Sequence, residues 1–146
     1  MPSGNSSRGT EVCDVTTENV LEWIKTLSTK PQNYYCGTLN AKKEKSFGVY
    51  QLKERRARDV AIGGLENTKT AAKGISILVH WSASTRESEA AAAALYADIE
   101  KAHGATIGGH KVNYIRLLHS EPIDVGTDEN GVCEYVIEFI LYFERS

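Results

Sequence analysis

The sequence has few cysteines and no long apolar run, and each shortage excludes a class of protein. Its three cysteines, Cys13, Cys36 and Cys133, are far apart, odd in number and form no C-x-x-C pair. This pattern disfavours both a disulfide framework and a structural zinc site. No stretch of about 18 apolar residues occurs, and the N-terminus lacks the apolar core of an export signal. We therefore expect a soluble cytoplasmic product with reduced thiols.

The chain also lacks an excess of charge of either sign. Its 17 Lys and Arg residues stand against 19 Asp and Glu residues, and the formal net charge is -2. The whole-chain balance therefore gives no electrostatic argument for binding to nucleic acid or to an anionic membrane. A length of 146 residues, of which 41% are hydrophobic, fits one domain with one core.

The N-terminal segment differs in composition from the rest of the chain. Residues 1–13 are rich in Ser, Gly and Asn and contain few apolar side chains. Such a segment buries too little apolar surface to offset the entropy that it would lose on ordering. We expect a flexible tail over residues 1–13 and a single domain over residues 14–146.

The strongest secondary-structure pattern lies at the end of the sequence. A turn signal at residues 128–131 (DENG) is followed directly by residues 132–143 (VCEYVIEFILYF), in which every second side chain is apolar. Successive side chains of a strand point to opposite faces of the sheet. The pattern predicts a long strand whose buried face consists of Cys133, Tyr135, Ile137, Phe139, Leu141 and Phe143.

Two segments have the spacing of helices with one apolar face. In the first, apolar residues recur from Val20 to Leu27, with Thr16 or Thr17 available as cap and with Pro31 enforcing the end. The second is expected to begin at the cap Ser84, with Glu87 placed for a reciprocal capping interaction, and to run to about residue 103. Its predicted buried stripe is Ala91, Ala92, Leu95, Ile99 and Ala102.

The remaining segments predict further strands and two loops. A β-hairpin is predicted over residues 34–39 and 46–52. A loop of about twenty residues is predicted over residues 53–73. Residues 74–81 and 111–120 are predicted strands, and residues 123–131 a loop before the last strand. This order favours an α+β fold, with a mainly antiparallel sheet of about four to five strands and two helices packed on one face.

Four histidines, His80, His103, His110 and His119, are the first candidates for catalysis or metal binding. His80 and His119 both lie near ends of predicted strands, so an enzyme that holds them in a shared pocket is one hypothesis. However, no H-E-x-x-H motif, Cys/His pairing, Ser/His/Asp arrangement or carboxylate pair stands at a recognisable spacing. The residues offer no positive case for an enzyme, a metal or a cofactor.

One local charge cluster is present. Residues 42–58 contain seven basic residues against Glu44 and Glu54, and the basic ones are Lys42, Lys43, Lys45, Lys53, Arg55, Arg56 and Arg58. The cluster is suited to contact with a phosphate backbone or an acidic partner surface. A solvated hairpin tip and loop is the favoured explanation, because aromatic residues are not interleaved with the basic ones.

Several phrases of the sequence resemble the tail terminator or minor capsid proteins of tailed bacteriophages and phage-tail-like particles. They are residues 35–39 (YCGTL) with 47–50 (FGVY), residues 75–81 (ISILVHW) before the Ala-rich helix, and residues 121–131 (EPIDVGTDENG) before the last strand. The resemblance covers about residues 16–145. None of these phrases is a catalytic signature.

The resemblance implies a structural virion protein without enzymatic activity, metal or cofactor. Its subunits would form a homohexameric ring at the head-proximal end of the tail, end polymerisation of the tail tube and offer a surface for head–tail joining. The implied partners are other copies of the chain, the tail tube protein and the head–tail connector protein, with a passing contact to DNA in the lumen and none to a membrane. An alternative is a head–tail connector or tail-completion subunit that contacts DNA.

A closed ring uses two different patches on each subunit, so complementary charges on the two patches would favour assembly. We expect one patch in the basic segment and the other in the acidic loop before the last strand. The candidate interface residues are Lys42, Lys43, Lys45, Arg55, Arg56 and Arg58 on the first patch, and Asp124, Asp128 and Glu129 on the second.

Overall fold

The computed structural model describes residues 15–37, 43–52, 70–102 and 104–144. These residues form two helices and seven strands. In chain order they are α1 (Thr17–Ile24), β1 (Asn33–Cys36), β2 (Ser46–Gln51), β3 (Thr70–His80), α2 (Thr85–Glu100), β4 (Thr106–Ile107), β5 (His110–Leu117), β6 (Ile123–Thr127) and β7 (Cys133–Glu144). The predicted tail and much of the predicted loop between β2 and β3 lie outside the described residues.

Strand β7 is the spine of the sheet. It pairs antiparallel with β3 along its length, from Glu134 opposite His80 to Glu144 opposite Thr70. On its other edge, β6 pairs with the first part of β7 and β5 with the last part. The strand order is β1-β2-β3-β7-β5-β4, with β6 as a second partner of β7.

One face of this sheet forms the hydrophobic core, as the alternation in β7 predicts. All six apolar residues named for that face are buried. They share one cluster with residues of β3 such as Ile77 and with Trp23 of α1 and Leu95 of α2. Trp23 packs edge-on against Phe139, with ring centroids 6.4 Å apart. Both helices therefore cover the same face, as expected.

Both helices begin at the predicted caps. The Thr16 side chain accepts a hydrogen bond from the Asn19 N–H, and the Asn19 side chain accepts one from the Thr16 N–H. The Ser84 side chain accepts from the Glu87 N–H. The reciprocal interaction expected of Glu87 is replaced, because its carboxylate accepts from the Ser82 hydroxyl instead.

The predicted hairpin between the first two strands is wrong. Strands β1 and β2 pair in parallel, with Asn33 opposite Ser46 and Cys36 opposite Val49. Parallel pairing normally needs a long crossover connection, because the chain must return to the end of the sheet at which the first strand begins. Here β1 has only four residues, so it rises roughly 13 Å. Residues 37–45 are long enough to return over that distance.

The predicted sheet was too small, because strands occur in segments read as loops. β3 begins at Thr70, inside the predicted loop over residues 53–73. β6 occupies residues of the predicted loop over 123–131 and is almost wholly exposed, so it has no apolar alternation. β4 has two residues, too few for any pattern. The fold is therefore α+β as predicted, but with a mixed sheet of seven described strands.

Candidate functional site

His80 lies at the end of β3, on the sheet face opposite the two helices. Its side chain is fully buried, and it stands directly opposite Glu134 of β7. The ring Nδ1 lies 2.9 Å from the carbonyl oxygen of Lys43, and Nε2 lies 2.8 Å from Oδ2 of Asp128. The imidazole thus joins the segment before β2, the end of β3 and the loop between β6 and β7.

Asp128 is fixed in its loop by the main chain. Its Oδ1 accepts hydrogen bonds from the N–H groups of Asn130 and Val132. The hydrogen bond from His80 and those main-chain donors lower the pKa of Asp128, because they favour the ionised carboxylate. A carbonyl oxygen and an ionised carboxylate only accept hydrogen bonds. The His80 ring therefore donates from both nitrogens in this arrangement.

Glu134 differs from Asp128 in its surroundings. Its side chain is half-buried, and among the described residues no donor is hydrogen-bonded to its carboxylate. Burial is the main cause of its raised pKa, and the positive charge on His80 acts in the opposite direction. One ligand atom from each of His80, Asp128 and Glu134 lies within 4.8 Å of the other two. The sequence does not predict this cluster.

The cluster lacks the arrangement of a hydrolase triad. Ser46 pairs with His80 across the strands, but its hydroxyl donates to the carbonyl oxygens of Lys43 and Glu44 and not to the ring. Both ring nitrogens are already occupied by other partners. No described side chain is thus placed for His80 to activate as a nucleophile.

His80 and His119 do not share a pocket in the described part of the chain. His119 is exposed, and its Nε2 lies 3.2 Å from Oε1 of Glu138. Glu134 is the residue opposite His80, and Glu138 lies four positions further along the same strand. The two glutamates are therefore separated by about 13 Å along β7. His119 also lines a cleft between α2 and β5 that does not include His80. The specific expectation of the enzyme hypothesis is therefore not met.

The structure describes five of the nine predicted interface residues. Lys43, Asp124 and Glu129 are exposed, and Lys45 and Asp128 are half-exposed. The main chain of Lys43 and the side chain of Asp128 meet at the same imidazole, so the two predicted patches begin at one edge of the subunit. Lys42, Arg55, Arg56 and Arg58 lie outside the described residues. The assignment of all nine to an interface stays a prediction.

The sheet face opposite the helices forms a second feature of interest. In the described residues no helix packs on it, yet it carries half-buried apolar side chains such as Leu78 and Val136. These residues, with Tyr50 and Glu138, line an open groove. Tyr114 of β5 is 61% exposed on this face and stacks on Tyr142, with ring centroids 6.0 Å apart.

The overall match of the sequence identifies the family. The sequence model described as "Bacteriophage tail terminator protein" matches residues 15–145. The chain belongs to this family. A search of curated proteins found no match. Membership in the tail terminator family makes the chain a structural, virion-associated phage tail protein. None of the described helices is long and apolar enough to span a membrane.

Proposed function

We propose that the protein is the ring-forming subunit that caps the head-proximal end of the phage tail tube. In this role it ends polymerisation of the tube protein and provides the surface to which the head–tail connector joins. Its partners are further copies of itself, in a homohexamer, together with those two proteins. The family match supports the terminator role, and the sheet face opposite the helices supports assembly with a partner.

The sheet face opposite the helices, on which no described helix packs, is the observation that supports assembly. It combines exposed Tyr114, stacked Tyr142 and exposed Arg116 with the apolar groove along β3 and β7. Tyr and Arg are enriched at protein interfaces, because each combines a large contact area with hydrogen bonding. This composition suits a face that a neighbouring subunit covers.

The ring brings each subunit into contact with two neighbours through two different patches. We assign the sheet face to one of these contacts, on one neighbour. Residues of the basic segment, including exposed Lys43, are candidates for the second. The His80 ring lies 2.9 Å from the carbonyl oxygen of Lys43 and 2.8 Å from Oδ2 of Asp128, so these two contacts join the start of that segment to the loop before β7.

Deleting the gene from the phage tests the capping role. We expect tails of abnormal length, or tails that fail to join heads, and restoration of normal particles by the wild-type gene supplied in trans. Electron microscopy of the lysate measures tail length and joining. Normal particles from the deletion strain would contradict the proposal.

A further inference from the structure

The cluster of His80, Asp128 and Glu134 has features that ring assembly does not explain. The three side chains come from the end of β3, the β6–β7 loop and the start of β7. Their ligand atoms lie within 4.8 Å of one another. The His80 side chain is fully buried and that of Asp128 is 11% exposed. Such burial distinguishes this group from acidic clusters on open surface.

The orientation of His80 is that of a metal-binding imidazole. Its Nδ1 faces the carbonyl oxygen of Lys43 at 2.9 Å, which fixes the proton on that nitrogen. Metal-binding histidines commonly donate one ring N–H to a main-chain carbonyl, and this contact directs the other nitrogen at the ion. Here the other nitrogen, Nε2, lies 2.8 Å from Oδ2 of Asp128, and a carboxylate oxygen of Glu134 completes the group within 4.8 Å.

Glu134 supplies a carboxylate that the fold leaves without a hydrogen-bond donor among the described residues. The Glu134 side chain is half-buried, so this carboxylate is partly removed from solvent. The Nε2–H group of His80 already has Asp128 as its hydrogen-bond acceptor. The His80–Asp128 pair therefore does not explain why a second carboxylate, that of Glu134, lies beside the ring.

We propose that His80, Asp128 and Glu134 bind a zinc ion, through Nε2 and one oxygen of each carboxylate. The Nε2 proton is released to solvent, and the nitrogen lone pair forms the bond to the metal. Two carboxylates and a neutral imidazole balance the double positive charge. Ligands of one tetrahedral zinc are about 3.3 Å apart, so Nε2 and Oδ2 separate by roughly half an ångström from their 2.8 Å hydrogen bond.

The ligand set also decides the class of metal. An imidazole nitrogen favours zinc and similar transition ions, whereas magnesium and calcium prefer oxygen ligands alone. Three protein ligands leave one zinc position for water or for a group of a neighbouring protein. The ion would tie the edge at Lys43 to the β6–β7 loop.

Titration of the purified, chelator-treated chain with Zn²⁺ tests this site. We expect one zinc per subunit, with affinity that falls at lower pH because protons compete for Nε2. Glu134→Gln should weaken binding by roughly tenfold or more. This variant is chosen because it removes no hydrogen bond among the described residues. X-ray absorption should show nitrogen and oxygen ligands only.

Glu138→Gln is the matched control, because Glu138 lies on the same strand and face but pairs with His119. It should bind zinc as the wild type does. Loss of zinc binding in Glu138→Gln, sulfur ligands, equal affinity in Glu134→Gln, or no binding by the wild type would each overturn the proposal. The outcome of the zinc titration does not decide whether the protein forms a ring, because ring formation is tested separately by the mass of the particle.

Discussion

At the scale of single residues, two carboxylates lie beside the same imidazole in different environments. Asp128 accepts three hydrogen bonds, which lower its pKa, whereas burial raises the pKa of Glu134. The fold therefore favours the charge on Asp128 and opposes the charge on Glu134. Their opposite shifts make Glu134 the residue at which substitution is most informative.

Replacing Glu134 with Gln should stabilise the metal-free protein at neutral pH. Because the folded pKa of Glu134 is raised, folded and unfolded states both hold the proton below about pH 4. As pH rises through the folded pKa, the folded state loses stability. We expect Glu134→Gln to raise Tm at pH 7 in the presence of EDTA, and the gain to disappear towards pH 4.

Thermal unfolding measured over this pH range checks the prediction, with Glu138→Gln as the control. A Glu134→Gln protein that is less stable than wild type at pH 7 would contradict it. The same substitution should have the opposite effect in saturating zinc, because the ligand that stabilises the folded wild type is then lost.

The residues of this cluster could be predicted only in part. The alternation in β7 places Glu134 on the face away from the core. The turn signal at residues 128–131 already accounts for the presence of Asp128, so the sequence gives no reason to assign Asp128 to a site. The convergence with His80 depends on the register that sets His80 opposite Glu134. A sequence of alternating side chains defines faces but not the register between strands 54 residues apart, so the cluster is invisible before the fold is known.

At the scale of elements, the predictions held where a segment carries its own local signal. Thr16 and Ser84 cap their helices because their side chains accept from the N–H group three residues on. The sequence of β7 alternates between apolar and other residues because the core covers only one face of the strand. β1 has uniform half-burial and no apolar face, so its residues contain no signal of the parallel pairing with β2.

Removing the first cap should destabilise the protein measurably. Thr16→Ala loses the acceptor for the Asn19 N–H, which costs about 1 kcal/mol in the free energy of unfolding. Thr17→Ala is the control, since Thr17 is the first helical residue and does not cap. Urea unfolding of both variants gives the comparison. An equal loss in the two would show that the cap contributes nothing specific.

The segment that follows α1 is joined to α2. Oδ2 of Asp98 in α2 accepts hydrogen bonds from the N–H and the hydroxyl of Thr29, in the segment that follows α1. The sequence places Asp98 only at the edge of the helix stripe, and its partner lies 69 residues away. This contact ties the segment after α1 to α2 on the core side of the sheet.

At the scale of the whole molecule, one sheet face is filled by the protein's own helices and the other is not covered by a described helix. Motif resemblance predicts the family, and the match over residues 15–145 confirms it. The proposed interface does not follow from the sequence, because a half-buried strand face has the same pattern whether a loop or a neighbouring subunit covers it. Tyr114 is 61% exposed on this face in the described fold, and for that reason we propose it for the contact.

The mass of the purified particle tests the central claim most directly. We expect the wild-type chain to form a hexameric ring, and Tyr114→Asp to weaken association by roughly tenfold or more, because it places a charge in the apolar contact. Ala94→Asp, on an exposed position of α2, adds the same charge to the helical layer and should still form the ring. Light scattering and negative-stain images should therefore show rings for the wild type and for Ala94→Asp and subunits for Tyr114→Asp. A monomeric wild type, or a Tyr114→Asp protein that forms the same ring at the same concentration, would contradict the account.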